Sequence, residues 1–473
     1  MTTYAQATTQ AGPRLDRLPI GRFHWRMLGL IGSGMFLDGF EIYLAGSVLG
    51  VLVKEGWSNL ELNAHFISAT FVGMVIGTWL AGVLGDRFGR RFSYQFNLLL
   101  FGAASLAGAL APSMTWLIVA RLFMGIGLGA EIVVGYVTMA EFIPPNRRGR
   151  WLAGLAIVTN SALFISSLIG YFIIPWLTWR AMFAIAGVGA LIVWYLRKRM
   201  PESPRWLEAQ GRFEEAEQSL QAIEAEVSAG KGPLPPIATP APVTTQVRSI
   251  SAVFRRPLLA STIVGCVICI AISIGIYGLI VWLPTFFVKQ GYSVASSLGF
   301  TTLMSLGGPA GALLGYAIAD RVGRRASLIG TSLACVVLSV IYPYAHDPVL
   351  FVIVGFALVS SIYLLIAIGW ALYVPELFPT DLRMRGTGVC NTAGRLTTIV
   401  TPYIVITAFE WYGMSGVLSL VVLLMLLVCV VVFSLGIETT RRPLEAVGTL
   451  PGSGNLMPDP AVTALRTVSR ENS

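Results

Sequence analysis

Charge is scarce in this chain. Only 12% of its 473 residues are Asp, Glu, Lys or Arg, 55% are hydrophobic, and the mean hydropathy is +0.73. So few charges cannot clothe a water-soluble protein of this length, which excludes a soluble multidomain enzyme. Histidine is scarcer still. His24, His65 and His346 lie far apart near the ends of apolar stretches, with no nucleophile or metal-ligating cluster around them. The five cysteines (Cys266, Cys269, Cys335, Cys390 and Cys429) sit inside apolar stretches. Cys266-Val-Ile-Cys269 is a lone CxxC without a second pair, so these thiols read as small buried hydrophobes and no metal is expected. Gly125-x-Gly127-x-x-Ala130 has the spacing of a dinucleotide fingerprint but follows no strand, so no nucleotide cofactor is implied. The polar first 25 residues precede no short apolar core with a cleavage site, and no removable signal peptide is expected.

Long apolar runs are what the chain does have. They fall at about 26–50, 64–84, 93–112, 115–139, 151–173 and 178–198, and then at about 258–287, 296–318, 326–345, 349–373, 386–409 and 414–436, each long enough to span a bilayer. Backbone polar groups in lipid must be satisfied within a segment, so the runs are helices. The expected fold is an all-α polytopic membrane protein with twelve transmembrane helices. It divides into a tail of about 1–25, a half of about 26–198, a central loop of about 199–257, a second half of about 258–436 and a tail of about 437–473. Within the central loop, Pro204 to Val227 reads as surface helix and Ala229 to Thr245 as a Pro- and Ala-rich linker.

The net charge of +9 would suit a nucleic-acid surface, but its distribution excludes that partner. One set of loops carries Arg87, Arg90, Arg91, Arg147, Arg148, Arg150, Arg197, Lys198, Arg199, Arg321, Arg324, Arg325, Arg383, Arg385, Arg441 and Arg442; the opposite set holds Lys54, Arg180 and Lys289. The positive-inside rule puts both termini and the central loop in the cytoplasm, with the chain in a cell's inner (plasma) membrane.

The two halves repeat. Gly73, Gly77, Ala81, Gly85-Asp86-Arg87-Phe88-Gly89-Arg90-Arg91 returns as Gly307, Gly311, Gly315, Ala319-Asp320-Arg321-Val322-Gly323-Arg324-Arg325, displaced by 234 positions. Glu141 and Pro144 with Arg148 and Arg150 return as Glu376 and Pro379 with Arg383 and Arg385; Glu202 and Arg205 have a weaker echo in Glu438 and Arg441. Two six-helix repeats of the same orientation imply a pseudo-twofold along the membrane normal, with a midplane site between them.

These paired loops, together with Arg121-x3-Gly125-x-Gly127, PESPRWL and PELFPTDLR, resemble the major facilitator superfamily, over about residues 20–445. PESPRWL and the Glu438-Thr439 ending are similar to its sugar-porter branch and that branch's organic-acid and niacin-type relatives. The resemblance implies alternating access, with Asp86, Arg87, Gly89, Arg90, Arg91, Glu141, Arg148, Glu202 and Arg205 forming a cytoplasmic gate. Asp320, Arg321, Gly323, Arg324, Arg325, Glu376, Arg383, Glu438 and Arg441 repeat it.

Ionisable residues inside membrane helices are costly, and usually face a partner or a water-filled path. Here they are Asp38 and Glu41, three residues apart and so on one face of the first helix, Arg121 and Glu131 in the fourth, and Arg395 in the eleventh. At ~1.5 Å per residue, Glu41 and Arg121 both lie outward of their helix midpoints, Asp38 at its midpoint and Glu131 inward. Glu41 therefore pairs best with Arg121, and Gly39-Phe40-Glu41 resembles the sugar-porter Gly-aromatic-Asp whose acid couples proton movement, here with Glu for Asp. Asp38 and Glu131 are extra acids, similar to those of organic-acid and niacin-type symporters, and complete the proton-coupling set. Arg395 suits a substrate carboxylate held bidentately, or alternatively pairs with Asp38 or Glu131. Asn391, Tyr277, Trp370 and Asn160 are further cavity candidates.

The sequence reading is a proton-coupled symporter of a small organic anion, an aromatic or other carboxylate, driven by the proton gradient without a cofactor and working as a monomer. The alternatives are a sugar or polyol porter, a drug exporter, or a transporter-like receptor that binds without flux.

Overall fold

A computed structural model of the chain describes residues 10–198, 200–237, 250–256, 258–345, 347–379 and 382–439. The described residues are helical with no strand. After a short α1 (Ala11–Asp16) the first half contains α2 (Arg22–Lys54), α3 (Leu60–Phe88), α4 (Arg90–Ala109), α5 (Met114–Phe142), α6 (Pro145–Ile173) and α7 (Trp179–Arg197). Two surface helices follow, α8 (Pro204–Ala209) and α9 (Phe213–Lys231), where the sequence suggested one; Gly211 at φ +74° makes the turn between them. The second half contains α10 (Leu259–Ile274), α11 (Leu283–Lys289), α12 (Val294–Ser305), α13 (Gly307–Val322), α14 (Arg324–Ile341), α15 (Pro348–Leu365), α16 (Val374–Glu376) and α17 (Arg383–Leu435). The second part of the expected linker, 238–245, and Arg441 with the rest of the tail from 440 lie outside the described residues.

Nine helical stretches among the described residues are long and apolar enough to cross a membrane. Three adjustments recover twelve. The 20-residue α4 begins on Arg90 and Arg91 yet spans beside α5. Spans α12 and α13 are one crossing broken at Leu306, because Pro309 cannot donate to the Ser305 carbonyl one turn earlier. The long α17 is two crossings: Gly413 sits at φ +61° and ψ −150°. A Cβ on Gly416 would lie 2.2 Å from the carbonyl oxygen of Ala408, eight residues back, where a continuous helix would put it ~12 Å away. The chain reverses at Gly413.

Each repeated glycine ladder is a backbone contact. Added Cβ atoms on Gly73 and Gly77 would sit 2.2 and 1.9 Å from the carbonyl oxygens of Leu122 and Ile126 on α5. On Gly311 the same atom would sit 2.2 Å from the Ser360 carbonyl of α15. Such contacts replace the missing hydrophobic drive between helices in lipid. Gly77→Ala should therefore cost about 3 kcal/mol by overpacking and lower the unfolding temperature of the purified protein. Gly330→Ala, with nothing within 4 Å of its added Cβ, should leave it unchanged.

The halves meet through α2 with α11, α3 with α17, and α6 with α12 and α13. The named contacts lie toward the face opposite the arginine loops. Ser68 donates to the Ile399 carbonyl at 2.5 Å, Thr302 to the Ser167 carbonyl at 3.1 Å, and Tyr363 to the Tyr43 hydroxyl at 2.7 Å. Gly46 admits the Val281 carbonyl, 2.8 Å from where a Cβ would be. Packing thus closes the molecule on that face.

Candidate functional site

At the arginine-rich face, each half builds the same charged knot from corresponding residues. Gly89 and Gly323 stand at φ +94° and +96°, a backbone region open to glycine, and this swings the first N–H groups of α4 and α14 onto a carboxylate. Glu202 accepts from the Arg90 and Arg91 N–H at 2.9 and 3.1 Å; Glu438 accepts from those of Arg324 and Arg325 at 3.0 and 3.1 Å. A carboxylate at a helix N-terminus is favoured by orphan donors and dipole together. Arg90 pairs with Glu141 at 3.0 Å and Arg324 with Glu376 at 3.3 Å. Arg205 donates to the Glu141 carbonyl at 3.0 Å and pairs with Asp16, tying α1 and α8 to α5. Arg148 reaches the Ile143 carbonyl at 3.3 Å, and Arg383 opens α17. Arg87 and Arg321 are exposed; the side chains of Asp86 and Asp320 lie outside the described residues. These named pairs are internal to each half.

Deeper, Glu41 and Arg121 face each other as the depth argument expects. Glu41 Oε1 accepts from Arg121 Nη1 at 2.6 Å, with both side chains 1% exposed or less. Arg121 has further partners: Nε donates to Thr70 Oγ1 at 3.0 Å, Nη1 and Nη2 to the Glu41 backbone carbonyl at 3.2 and 3.3 Å, and the guanidinium lies 4.5 Å over the Phe66 ring. Among the described residues the second carboxylate oxygen has only Ser105 Oγ, at 3.5 Å. The pair borders a cavity between the halves, whose lining includes Thr70, Phe71, Arg121, Tyr277 and Val281.

Tyr277 and Trp370 both stand in backbone wound more loosely than an α-helix, Gly275–Leu279 and Ile366–Tyr373. Irregular backbone at membrane depth is tolerated where it is buried in protein or lines a cavity, and π-turns favour functional positions. The Tyr277 ring meets Phe71 edge-on at 4.5 Å. Trp370 Nε1 donates to Asn391 Oδ1, and Asn391 donates to the Thr387 carbonyl at 3.0 Å. Arg395, half-buried, donates across the halves to Thr78 Oγ1 at 3.3 Å. It has no carboxylate partner among the described residues, so the alternative pairing with Asp38 or Glu131 is not formed here. Asn160 on α6 is half-buried without a side-chain hydrogen bond among the described residues.

Glu131 finds a partner that sequence reasoning missed. Arg197, counted as a loop cation, is fully buried at the end of α7 and binds Glu131 Oε1 at 2.5 Å. The missed signal was position: Arg197 directly follows an apolar run, on the side of the membrane where Glu131 had been placed. Asp38, 1% exposed, receives no hydrogen bond among the described residues. Thr70, Thr78, Tyr43 and Tyr363 were also missed, since lone hydroxyls carry no spacing signal.

The profile of the Major Facilitator Superfamily matches residues 31–402 and 301–470. The chain is 39% identical to the inner membrane metabolite transport protein YdjE of Escherichia coli K12, over 93% of this chain and 98% of that one. It is 31% identical to the niacin transporter NiaP of Acinetobacter baylyi, over 92% and 99% respectively. Among solved structures, the inward-open conformation of the xylose transporter XylE from E. coli superposes with a TM-score of 0.68 at 19% identity, over 90% of this chain and 99% of that one.

Proposed function

This chain belongs to the major facilitator superfamily, a multi-pass membrane transporter of a small molecule and not an enzyme, and from that premise we propose that it is a proton-coupled symporter taking up a small organic anion. The observation that carries the substrate class is Arg395. A half-buried guanidinium between the halves, held by one threonine and no carboxylate, leaves donor capacity suited to a planar carboxylate. Tyr277, Trp370 and Asn391 supply aromatic faces and amide contacts for an aromatic acid, and the niacin transporter among the relatives handles such a molecule.

Proton coupling is assigned to Glu41. Protonation would release Arg121, which keeps Thr70, the Glu41 carbonyl and Phe66 as partners, so the pair can open without stranding the cation. The arginine-rich face is the cytoplasmic one, with both termini on that side, so the contacts of Ser68, Thr302 and Tyr363 seal the outward side. The knots at Arg90 and Arg324 then hold each half rigid while the halves rock, and Asp86 and Asp320 latch the inner face when it closes.

Counterflow in proteoliposomes tests the reading: nicotinate or benzoate should exchange and xylose should not. Xylose counterflow without carboxylate counterflow would make this a sugar porter. Binding without counterflow of any solute would make it a receptor.

A further inference from the structure

Three buried charges on the arginine-rich side of Glu41 are not used by this mechanism. Asp38, Glu131 and Arg197 are each 1% exposed or less. Arg197 is committed: Nε donates to the Leu30 carbonyl at 2.7 Å, Nη2 to the Ile31 carbonyl at 2.9 Å, Nη1 to Glu131 Oε1, and the guanidinium covers the Tyr94 ring at 4.5 Å. Gly34 makes room, since a Cβ there would be 2.1 Å from Arg197 Nη2 and 2.4 Å from Glu131 Oε1. Three acceptor atoms of this cluster are buried with no partner among the described residues: Glu131 Oε2 and both oxygens of Asp38. The charges that act on Asp38 are Glu131 on α5, Arg197 on α7 and Glu41 on its own helix, while α6 brings none.

Two carboxylates against one guanidinium leave one negative charge uncompensated, with no donor to it among the described residues. That arrangement is prohibitively costly unless a cation joins it. A proton does so most simply. It neutralises one acid without needing a further donor. We propose that Asp38, Glu131 and Arg197 form a second proton-binding site, separate from the Glu41–Arg121 pair. One proton resides on Asp38 in this conformation, and Arg197 holds Glu131 in place. Asp38 stands one helical turn from Glu41 on the same face, toward the arginine-rich side, so this site lies between the coupling pair and the water of that side.

This inference does not need Glu41 to be the coupling residue, and its test reads the purified full chain rather than flux. Infrared spectra of the wild type should contain a protonated-carboxyl C=O stretch that survives in Glu41→Gln and is absent in Asp38→Asn. An Asp38→Asn spectrum identical to wild type in that region overturns the proposal, as does a band lost only in Glu131→Gln. Thermal unfolding supplies the second readout. Folding that retains a proton the unfolded chain has released loses stability as pH rises. The wild-type unfolding temperature should fall between neutral and alkaline pH, and that of Asp38→Asn should fall less. A wild-type stability that follows Na+ at fixed pH, and not pH, would mean that a sodium ion occupies the site and would overturn it too.

Discussion

Glu41→Gln protein in proteoliposomes will exchange substrate across the membrane and will not concentrate it. With one proton moving per substrate, an imposed gradient of one pH unit can drive about tenfold accumulation, and this should collapse to about onefold in the variant. The amide keeps the side-chain shape and can accept from Arg121 Nη1, while Thr70, the Glu41 carbonyl and Phe66 still hold the guanidinium. The protein should therefore fold and bind, although removing one member of a buried pair costs up to ~3–5 kcal/mol in general. Weak acids also follow a pH gradient through bare lipid in the same direction. Protein-free vesicles give that background, and the comparison is between wild type and variant above it. Wild-type accumulation in Glu41→Gln would remove Glu41 from coupling.

Arg395→Ala should lose the substrate. A charge-assisted hydrogen bond to a buried carboxylate is worth ~1.5–3 kcal/mol, so affinity for nicotinate or benzoate should fall by about 10- to 100-fold. Thr78, the residue it touches, retains acceptors in the Met74 and Gly129 carbonyls at 2.8 and 3.1 Å, so no polar group is stranded by the truncation. Arg395→Lys keeps the charge without the planar fork and should fall between the two. Isothermal titration of the purified variants reads this directly. Unchanged carboxylate affinity in Arg395→Ala would place the anion elsewhere in the cavity.

Much of this architecture is legible in the sequence, for particular reasons. Helix number follows from apolar runs that have no other way to satisfy their backbones in lipid. The repeat is legible because the same knot is built twice, and the faint echo of Glu202 in Glu438 acquires a meaning once both are seen capping helix N-termini. Glu41 could be matched to Arg121 because helical rise converts residue number into depth. Arg197 could not be found that way: loop counting absorbs any cation at the end of an apolar run, whether it faces water or a buried acid. The loosened turns around Tyr277 and Trp370 each run toward a proline, Pro284 or Pro375, but a proline there is equally compatible with an ordinary helix start, so the sequence does not single them out. The expected reach of Glu141 to the arginine cluster is made by Arg90, and Glu376 repeats it with Arg324, each pair within its own half.

The most direct test of the central claim is a proton count. Nicotinate added to de-energised proteoliposomes in weakly buffered medium should alkalinise the outside, one proton per molecule entering by the saturable route, and Glu41→Gln should abolish the signal that exceeds protein-free vesicles. Saturable nicotinate entry with no change of external pH would contradict proton symport.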